Sequence, residues 1–326
     1  METKTETIKN RSELIFLYDI KWGNPNGDPM DENRPRFDEE RSVAIVTDVR
    51  LKRTVRDYLQ DVKGQILWVS GDPVTPKKRA EELQITSVED AVSKCIDVRL
   101  FGVVIPAEGR GTSESSLTGP VQFRFGRTLN KTRPVYMQGT AAFASDEKDK
   151  QRSFRDDHMI PYGLIAFYGI INQNAAKATG MSDEDRDALL DGIWNGTRNL
   201  ITRSKMEQLP RFLLNVVYKE GNYHIGELDA GITISVAMPE EDVRSIAELT
   251  LNFDGLAATL VGAKDQIERI EYRYDKRIQS AAEFVEIMEN EKITVEELID
   301  KKSDLSSEQE KGEKDAGIAK NETPEA

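Results

Sequence analysis

The sequence holds a single cysteine, Cys95, and only two histidines, His158 and His224, among 326 residues. A lone cysteine cannot close an internal disulfide, and one Cys with two scattered His offers no zinc site of ordinary spacing. Transition-metal chemistry and a bound cofactor are therefore not expected. No run approaches the roughly 18 consecutive apolar residues of a membrane span. The opening METKTETIKN also lacks the apolar stretch of a secretory signal, which sets the expectation of a cytoplasmic chain. No Walker loop, nucleophile elbow or dinucleotide fingerprint appears. Neither histidine lies near a Ser, a Cys or a paired carboxylate in an interpretable motif, so no nucleophile and orienting partner can both be named.

What is present is enough for a sizeable core: 38% hydrophobic and 32% charged residues, as one large domain or two smaller ones. The net charge of −13 opposes binding to a polyanion, but that charge is unevenly distributed. From Glu283 to Ala326 there are 14 acidic and 6 basic residues, which leaves only −5 for everything before. Between Arg99 and Gln138 the sign reverses, with six basic residues against Glu108 and Glu114. Salt screens beyond about 8 to 10 Å, so local sign decides whether phosphates are attracted.

Residues Glu13 to Trp22, ELIFLYDIKW, read as a buried strand ending at a Gly/Pro/Asn cluster. The stretch from Gly23 to Ser42 is rich in Pro and Gly and reads as a long loop. Thr47 caps a predicted helix from Asp48 to about Lys63, with Leu51, Val55, Tyr58 and Leu59 on one face and Arg50, Lys52, Arg53 and Arg56 on the other. Residues 64–107 read as an insertion with its own small structure. Glu108 to Gly119 is expected to be a mobile loop. Pro120 to Leu129 alternates as a strand, with Val121, Phe123 and Phe125 on one side, and Val135 to Ala144 reads as another. The hydrophilic run SDEKDKQRSFRDD is expected to be an exposed loop. Ser182 with Asp185 marks the start of a helix running to Ile201. Arg211 to Lys219 and Tyr223 to Met238 read as a hairpin. The tail from 283 is expected to be acidic and largely disordered, with at most a short helix or two, one capped by Thr294 and Glu297, and residues 1–11 to be flexible.

Each cluster with chemical potential has a plainer reading beside it. Asn24, Asn26 and Gly27 sit in the sequence NPNGDP, whose oxygens suit a hard cation, yet the EF-hand positions are not met and the same residues are ordinary turn formers. The basic helix face suits phosphates or simply water. Phe123 and Phe125 with Arg124 and Arg127 combine rings that stack bases with cations that hold phosphates. They also fit a half-buried strand, and QFRFGRTL does not match the RNP1 pattern. Arg198, Arg203 and Lys205 lie at the end of a helix, where cations also suit the macrodipole.

Taken together, the phrases LYDIKWGNPNGDPMDENRPR, VTDVRLKRTVRDYL, DVRLFG, GPVQFRFGRTLNK, FYGIIN and NGTRNLITRSKMEQLPRFLLNVVY resemble, in that order, the CRISPR-associated backbone subunit of type I Cascade. The resemblance runs from about Ser12 to Ile234. Within that superfamily it is most similar to the type I-B branch, with the type I-C subunit as nearest relative. It implies an α+β fold: a modified RNA-recognition (ferredoxin-like) palm over 12–282, with a finger-like insertion near 64–107 and a thumb. It implies copies assembled side by side along a CRISPR RNA, with other Cascade subunits, meeting target DNA through the guide. By family position, Arg50, Lys52, Arg53 and Arg56 are expected to hold phosphates of the RNA, and Asn24, Asn26 and Gly27 to face RNA or a neighbouring subunit. So are Gln122, Arg124, Arg127 and Arg133, with Arg198, Arg203 and Lys205 as further candidates. Such subunits are scaffolds rather than enzymes. The rival within the superfamily is a metal-dependent ribonuclease that would use Asp28, Asp31 or Asp38.

Overall fold

The computed structural model describes residues 6–71, 74–105, 115–140 and 154–299. It is a mixed α+β structure around one mostly antiparallel sheet. Along the chain, β1 (Ser12–Gly23) leads into the two-residue strands β2 (Gly27–Asp28), β3 (Arg34–Pro35) and β4 (Phe37–Asp38), then β5 (Val43–Val46) and α1 (Asp48–Asp61). The segment 64–105 holds α2 (Pro76–Leu83), α3 (Val88–Lys94), α4 (Ile96–Phe101) and β6 (Gly102–Ile105), which pairs with β7 (Ser115–Thr118). Next come β8 (Val121–Phe123), β9 (Gly126–Thr128), β10 (Val135–Thr140), β11 (Phe154–Ile171), α5 (Gln173–Thr179), α6 (Asp183–Asn199) and β12 (Leu209–Tyr218). A C-terminal layer follows with β13 (Thr233–Val236), β14 (Leu249–Asn252), α7 (Asp254–Gly262), β15 (Ile267–Tyr274), α8 (Gln279–Asn290) and β16 (Val295–Glu297).

The sheet runs β16-β15-β12-β1-β11-β9-β5-β4, with β8 and β10 also on β11. Its centre is covered on both faces. Leu14, Phe16, Tyr18 and Ile20 of β1 face α1 and α6 with Leu51, Val55, Leu189 and Ile193. Ile15 and Leu17 face the C-terminal layer with Leu228, Phe253, Leu256 and Phe284. That double cover is why β1 reads as an unbroken apolar run instead of alternating. The 64–105 segment has a small core of its own around Trp68, Ile85, Ala91, Cys95 and Val98. No helix among the described residues is long and apolar enough to cross a membrane.

Local signals set several of these elements. Thr47 Oγ1 accepts from Arg50 N at the start of α1, and Ser182 forms a capping box with Asp185 at the start of α6. Two-sided burial of charge fixes the C-terminal layer. The buried Glu13 carboxylate accepts from the hydroxyls of Tyr168 and Tyr218 and from the backbone N–H groups of Ile225 and Gly226, both at 2.8 Å. Arg211, 1% exposed, donates to Asp19 at 2.7 Å and also pairs with Asp275.

Four sequence expectations are corrected. Tyr223 to Met238 does not return as a hairpin on β12. Gly226 and Glu227 take left-handed φ values of 88° and 51°, Glu13 pins the segment across the sheet face, and β15 takes the edge of β12 instead. Only Thr233–Val236 is strand, and it pairs with β14. The single strand Pro120 to Leu129 is two. β8 and β9 pair with different parts of β11, the chain is offset at Arg124 and Phe125, and Phe125 is exposed rather than aligned with Val121. Phe154 to Asp157, expected in a loop, begins β11, where the register with β10 pairs Asp157 with Met137. Thr294 and Glu297 cap no helix. Thr294 O accepts from Ile270 N at 2.8 Å, and β16 runs parallel to β15.

The helix in this region is α8, which crosses position 282 and buries Phe284, Val285 and Met288. At the other end Ile8 is buried and Thr7 bridges Ser182. The remaining expectations, for 1–5, for most of the 108–119 loop, for 145–153 and for the tail from 300, lie outside the described residues.

Candidate nucleic-acid interface

The end of β1, the start of α1 and the loop after α6 converge. Asn24 N donates to Ser204 O at 2.7 Å, and Asn24 Nδ2 donates to Asn33 O at 2.6 Å. Asn26 Oδ1 accepts from both N and Oγ1 of Thr47, at 2.8 and 2.9 Å, so it ties the loop to the cap of α1. A Cβ on Gly27 would lie 2.0 Å from Asn33 Oδ1. All three NPNGDP positions thus shape the loop from within, and the Asn24 Oδ1 atom is buried without a hydrogen-bond partner among the described residues.

The cations of α1 divide into two kinds. Lys52 pairs with Asp48 at 3.0 Å and Arg53 with Asp57 at 2.5 Å, both one helical turn apart. Arg56 reaches Asp97 of α4 at 2.9 Å and lies over the Phe101 ring, 4.8 Å from its centroid. Asp97 also accepts from Trp68 N and Val69 N at 2.7 and 3.0 Å, so this pair anchors the 64–105 segment to α1. Lys52 and Arg56 are largely buried, not an outward phosphate-tracking face.

Arg50 differs. It donates to Thr54 Oγ1 at 3.0 Å, forms no salt bridge among the described residues, and its Nε is buried without a partner. Burial pulls its guanidinium below its ordinary range, with the nearby Arg53 acting the same way and Asp57 and Tyr18 opposing. Lys205 stands close by, its ammonium lowered from the ordinary 10.5 by burial first and then by Arg50. Its ammonium donates to Ser204 Oγ at 3.4 Å, the one side-chain hydrogen bond it makes among the described residues. Two cations sharing a partly desolvated position without a carboxylate bridge form a site that favours an anion.

The remaining candidates lie elsewhere. Arg124 sits over Tyr168, 4.6 Å from the ring centroid, and pairs with Asp229. Arg127 is exposed and makes no ion pair among the described residues, while Arg133 approaches Glu241 at 3.7 Å. These arginines lie on or just beyond the β8 and β9 side of β11. There a shallow hollow of about 490 Å³ is lined by Arg41, Phe125, Arg127 and Asp229, among others. Gln122 is exposed and donates to Gly119 O at 2.9 Å. Arg198 is exposed in the last turn of α6, and Arg203 pairs with Asp157 at 2.6 Å. The candidate cations therefore gather mainly in two patches, one around Arg50 and Lys205 and one around Arg124 and Arg127.

The aspartates of the metal reading each lie beside protein groups of their own. Asp28 Oδ2 accepts from Arg36 Nη1 at 2.9 Å, Asp38 Oδ1 caps Arg41 N at 3.1 Å, and Asp31 lies exposed 3.8 Å from Arg34. No group of three His, Cys, Asp or Glu side chains suited to a metal occurs among the described residues. Sequence reasoning overlooked Trp22, assigned to a buried strand but half exposed. It also overlooked the neutralising aspartates of α1, although Asp48 and Asp57 stand four residues from their partners.

Comparison with known proteins places these features in context. Residues 10–254 match the family model of the CRISPR-associated protein Cas7. The chain is 34% identical to the CRISPR-associated protein Cas7 of Haloferax volcanii strain DS2 over 306 residues, covering 84% of this chain and 89% of that one. Its fold is similar to a chain of a CRISPR RNA-guided surveillance complex, pre-nicking, with a TM-score of 0.52 and 14% identity, covering 82% and 92% of the two chains. A chain of a second CRISPR RNA-guided surveillance complex matches at a TM-score of 0.50, with 14% identity and 83% and 92% coverage.

Proposed function

The chain belongs to the Cas7 family of CRISPR-associated proteins, and on that premise we propose that it is a backbone subunit of a type I Cascade surveillance complex. In this reading several copies line up along a CRISPR RNA in the cytoplasm. They hold its backbone, contact the other Cascade subunits, and leave bases free to pair with target DNA. Base pairing then reads sequence, and this subunit contributes grip and shape without catalysis. Family membership across most of the chain is the observation that carries the proposal.

The finer architecture follows the same reading. The strand order β12-β1-β11-β9, with α1 and α6 on one face, suits a βαββαβ palm of the ferredoxin or RNA-recognition type. The segment 64–105, with its own core, serves as the finger, and the type I-B branch remains the subtype proposed. Arg50 and Lys205 supply the chemistry a phosphate needs, with Arg124 and Arg127 as a second contact to guide or neighbour.

The test is to purify the protein with its guide and partner subunits and to run the bound nucleic acid on a denaturing gel. RNA of uniform length should copurify, and an Arg50→Ala plus Lys205→Ala variant should retain less of it whatever the spacer sequence. A well-folded sample that stays monomeric and carries no RNA rejects the proposal.

A further inference from the structure

The even-numbered residues of β1 form a stripe, Leu14, Phe16, Tyr18 and Ile20, all buried in the core on the helix side. The strand period assigns Trp22 to the same stripe. Trp22 instead leaves it. Its backbone adopts a left-handed φ of 45°, a conformation uncommon for a bulky residue, and 54% of the residue is exposed. The other two tryptophans, Trp68 and Trp194, are buried.

The departure has a local cause in the sheet. In the ladder with β11, Lys21 pairs with Tyr162 and Gly23 with Ile160, so the register sets Trp22 opposite Pro161. Proline has no N–H to give the ladder, and the pairing skips this position. Immediately after it the chain passes close against the loop following α6. A Cβ on Gly23 would lie 2.8 Å from Ser204 O, the same oxygen that accepts from Asn24 N. The turn therefore sets the backbone next to the exposed Trp22 against the loop that carries Lys205, whose ammonium feels the charge of Arg50. Two further apolar residues of that loop, Ile201 and Met206, are also exposed.

An exposed ring on a turn packed against a loop that carries a cation brings together the two components that single-stranded nucleic acid needs, a face for a base and charge for its phosphate. Stacking accepts any base, as a guide of variable spacer requires. We infer that Trp22 is a stacking platform for an unpaired base of the bound RNA, adjacent to a phosphate held by Arg50 and Lys205. The inference rests on the Cascade reading and adds a positioned base to it.

The experiment titrates the full-length protein with single-stranded RNA of uniform sequence, oligo-U and oligo-A in parallel, while following tryptophan emission. Stacking should quench the exposed indole. Trp22→Ala should weaken binding about 5- to 100-fold for both sequences, the range of one lost base stack, with no change in salt slope because no charge is lost. Trp22→Phe should restore most of the affinity but remove the quench, since the two remaining tryptophans are buried. A structural Trp would lower the melting temperature on truncation, whereas here Trp22→Ala should leave it unchanged or higher.

An oligomer of abasic ribose phosphates should bind wild type and Trp22→Ala equally. Wild-type affinity in Trp22→Ala, a quench on binding that survives the substitution, or a large fall in its melting temperature would overturn the inference while leaving the Cascade reading in place. Failure of the wild type and of Lys205→Gln alike to respond to any RNA, guide-loaded or free, would instead remove the premise.

Discussion

Two groups of charge in this molecule, one buried and one half-buried, end in opposite states. On the two faces of the sheet, buried charges meet partners of opposite sign: Arg211 pairs with Asp19 and Asp275 beneath the C-terminal layer, and Arg186 of α6 and Arg269 pair with Glu271 on the helix side. Where β1, α1 and the loop after α6 meet, Arg50 lowers the pKa of Lys205, and neither residue forms a salt bridge among the described residues. Burying charge costs several kcal/mol unless it is paired. The first cluster meets that cost internally and holds the fold together, whereas the second leaves it for an anion from outside to offset.

The largest effect that sharpens the contrast is expected from Arg211→Met. It strands Asp19, 1% exposed, without its guanidinium, and should cost about 3 to 5 kcal/mol, read from denaturant unfolding. An unchanged midpoint would mean that the closed cluster is not structural. Next, Asp97→Asn should cost about 1.5 to 3 kcal/mol by weakening three charge-assisted bonds at once. Hydrogen exchange should rise at Trp68 and Val69 while β1 stays protected.

Lys205→Gln should behave the other way. Its stability should stay within about 0.5 kcal/mol of wild type, but the slope of log affinity for single-stranded RNA against log salt should fall by about 0.7, one phosphate contact. A large loss of stability with an unaltered slope would place Lys205 in the closed class.

The smallest effect is a pH dependence. In the free protein the Lys205 pKa lies below 10.5, and a bound phosphate raises it, so binding takes up a proton over part of the alkaline range. Affinity should therefore decline as pH rises toward 10.5, and this part of the decline should vanish in Lys205→Gln. Calorimetry in buffers of different ionisation enthalpy reads the proton uptake directly.

The closed cluster was hard to read from the sequence and the open one only half legible. β1, α1 and α6 were plain, because an apolar run, a Thr cap and a Ser/Asp capping box are local signals. β11 was hidden. It spans 18 residues, begins in a hydrophilic stretch and contains Pro161, all of which argue against a strand when read alone. The C-terminal layer was misassembled because Glu13 and Gly226 are 213 positions apart, and no window of sequence contains both.

At the candidate site the sequence offered the cations of α1 as one face. It did not show that Arg56 is spent on Asp97, 41 residues away, or that Arg50 alone of the four is left beside Lys205. The signal that was available, carboxylates at four-residue spacing for Lys52 and Arg53, removes two of them.

An open RNA-recognition sheet offers its flat side to a nucleotide chain, but here α1 and α6 floor the central strands and residues 228–293 roof them. On the Cascade reading, that leaves the rims to a transcript, at strand ends and along the outer strands. Grip at a rim would occupy little of each protomer's width and leave the flanks free to abut the next protomer on the same thread.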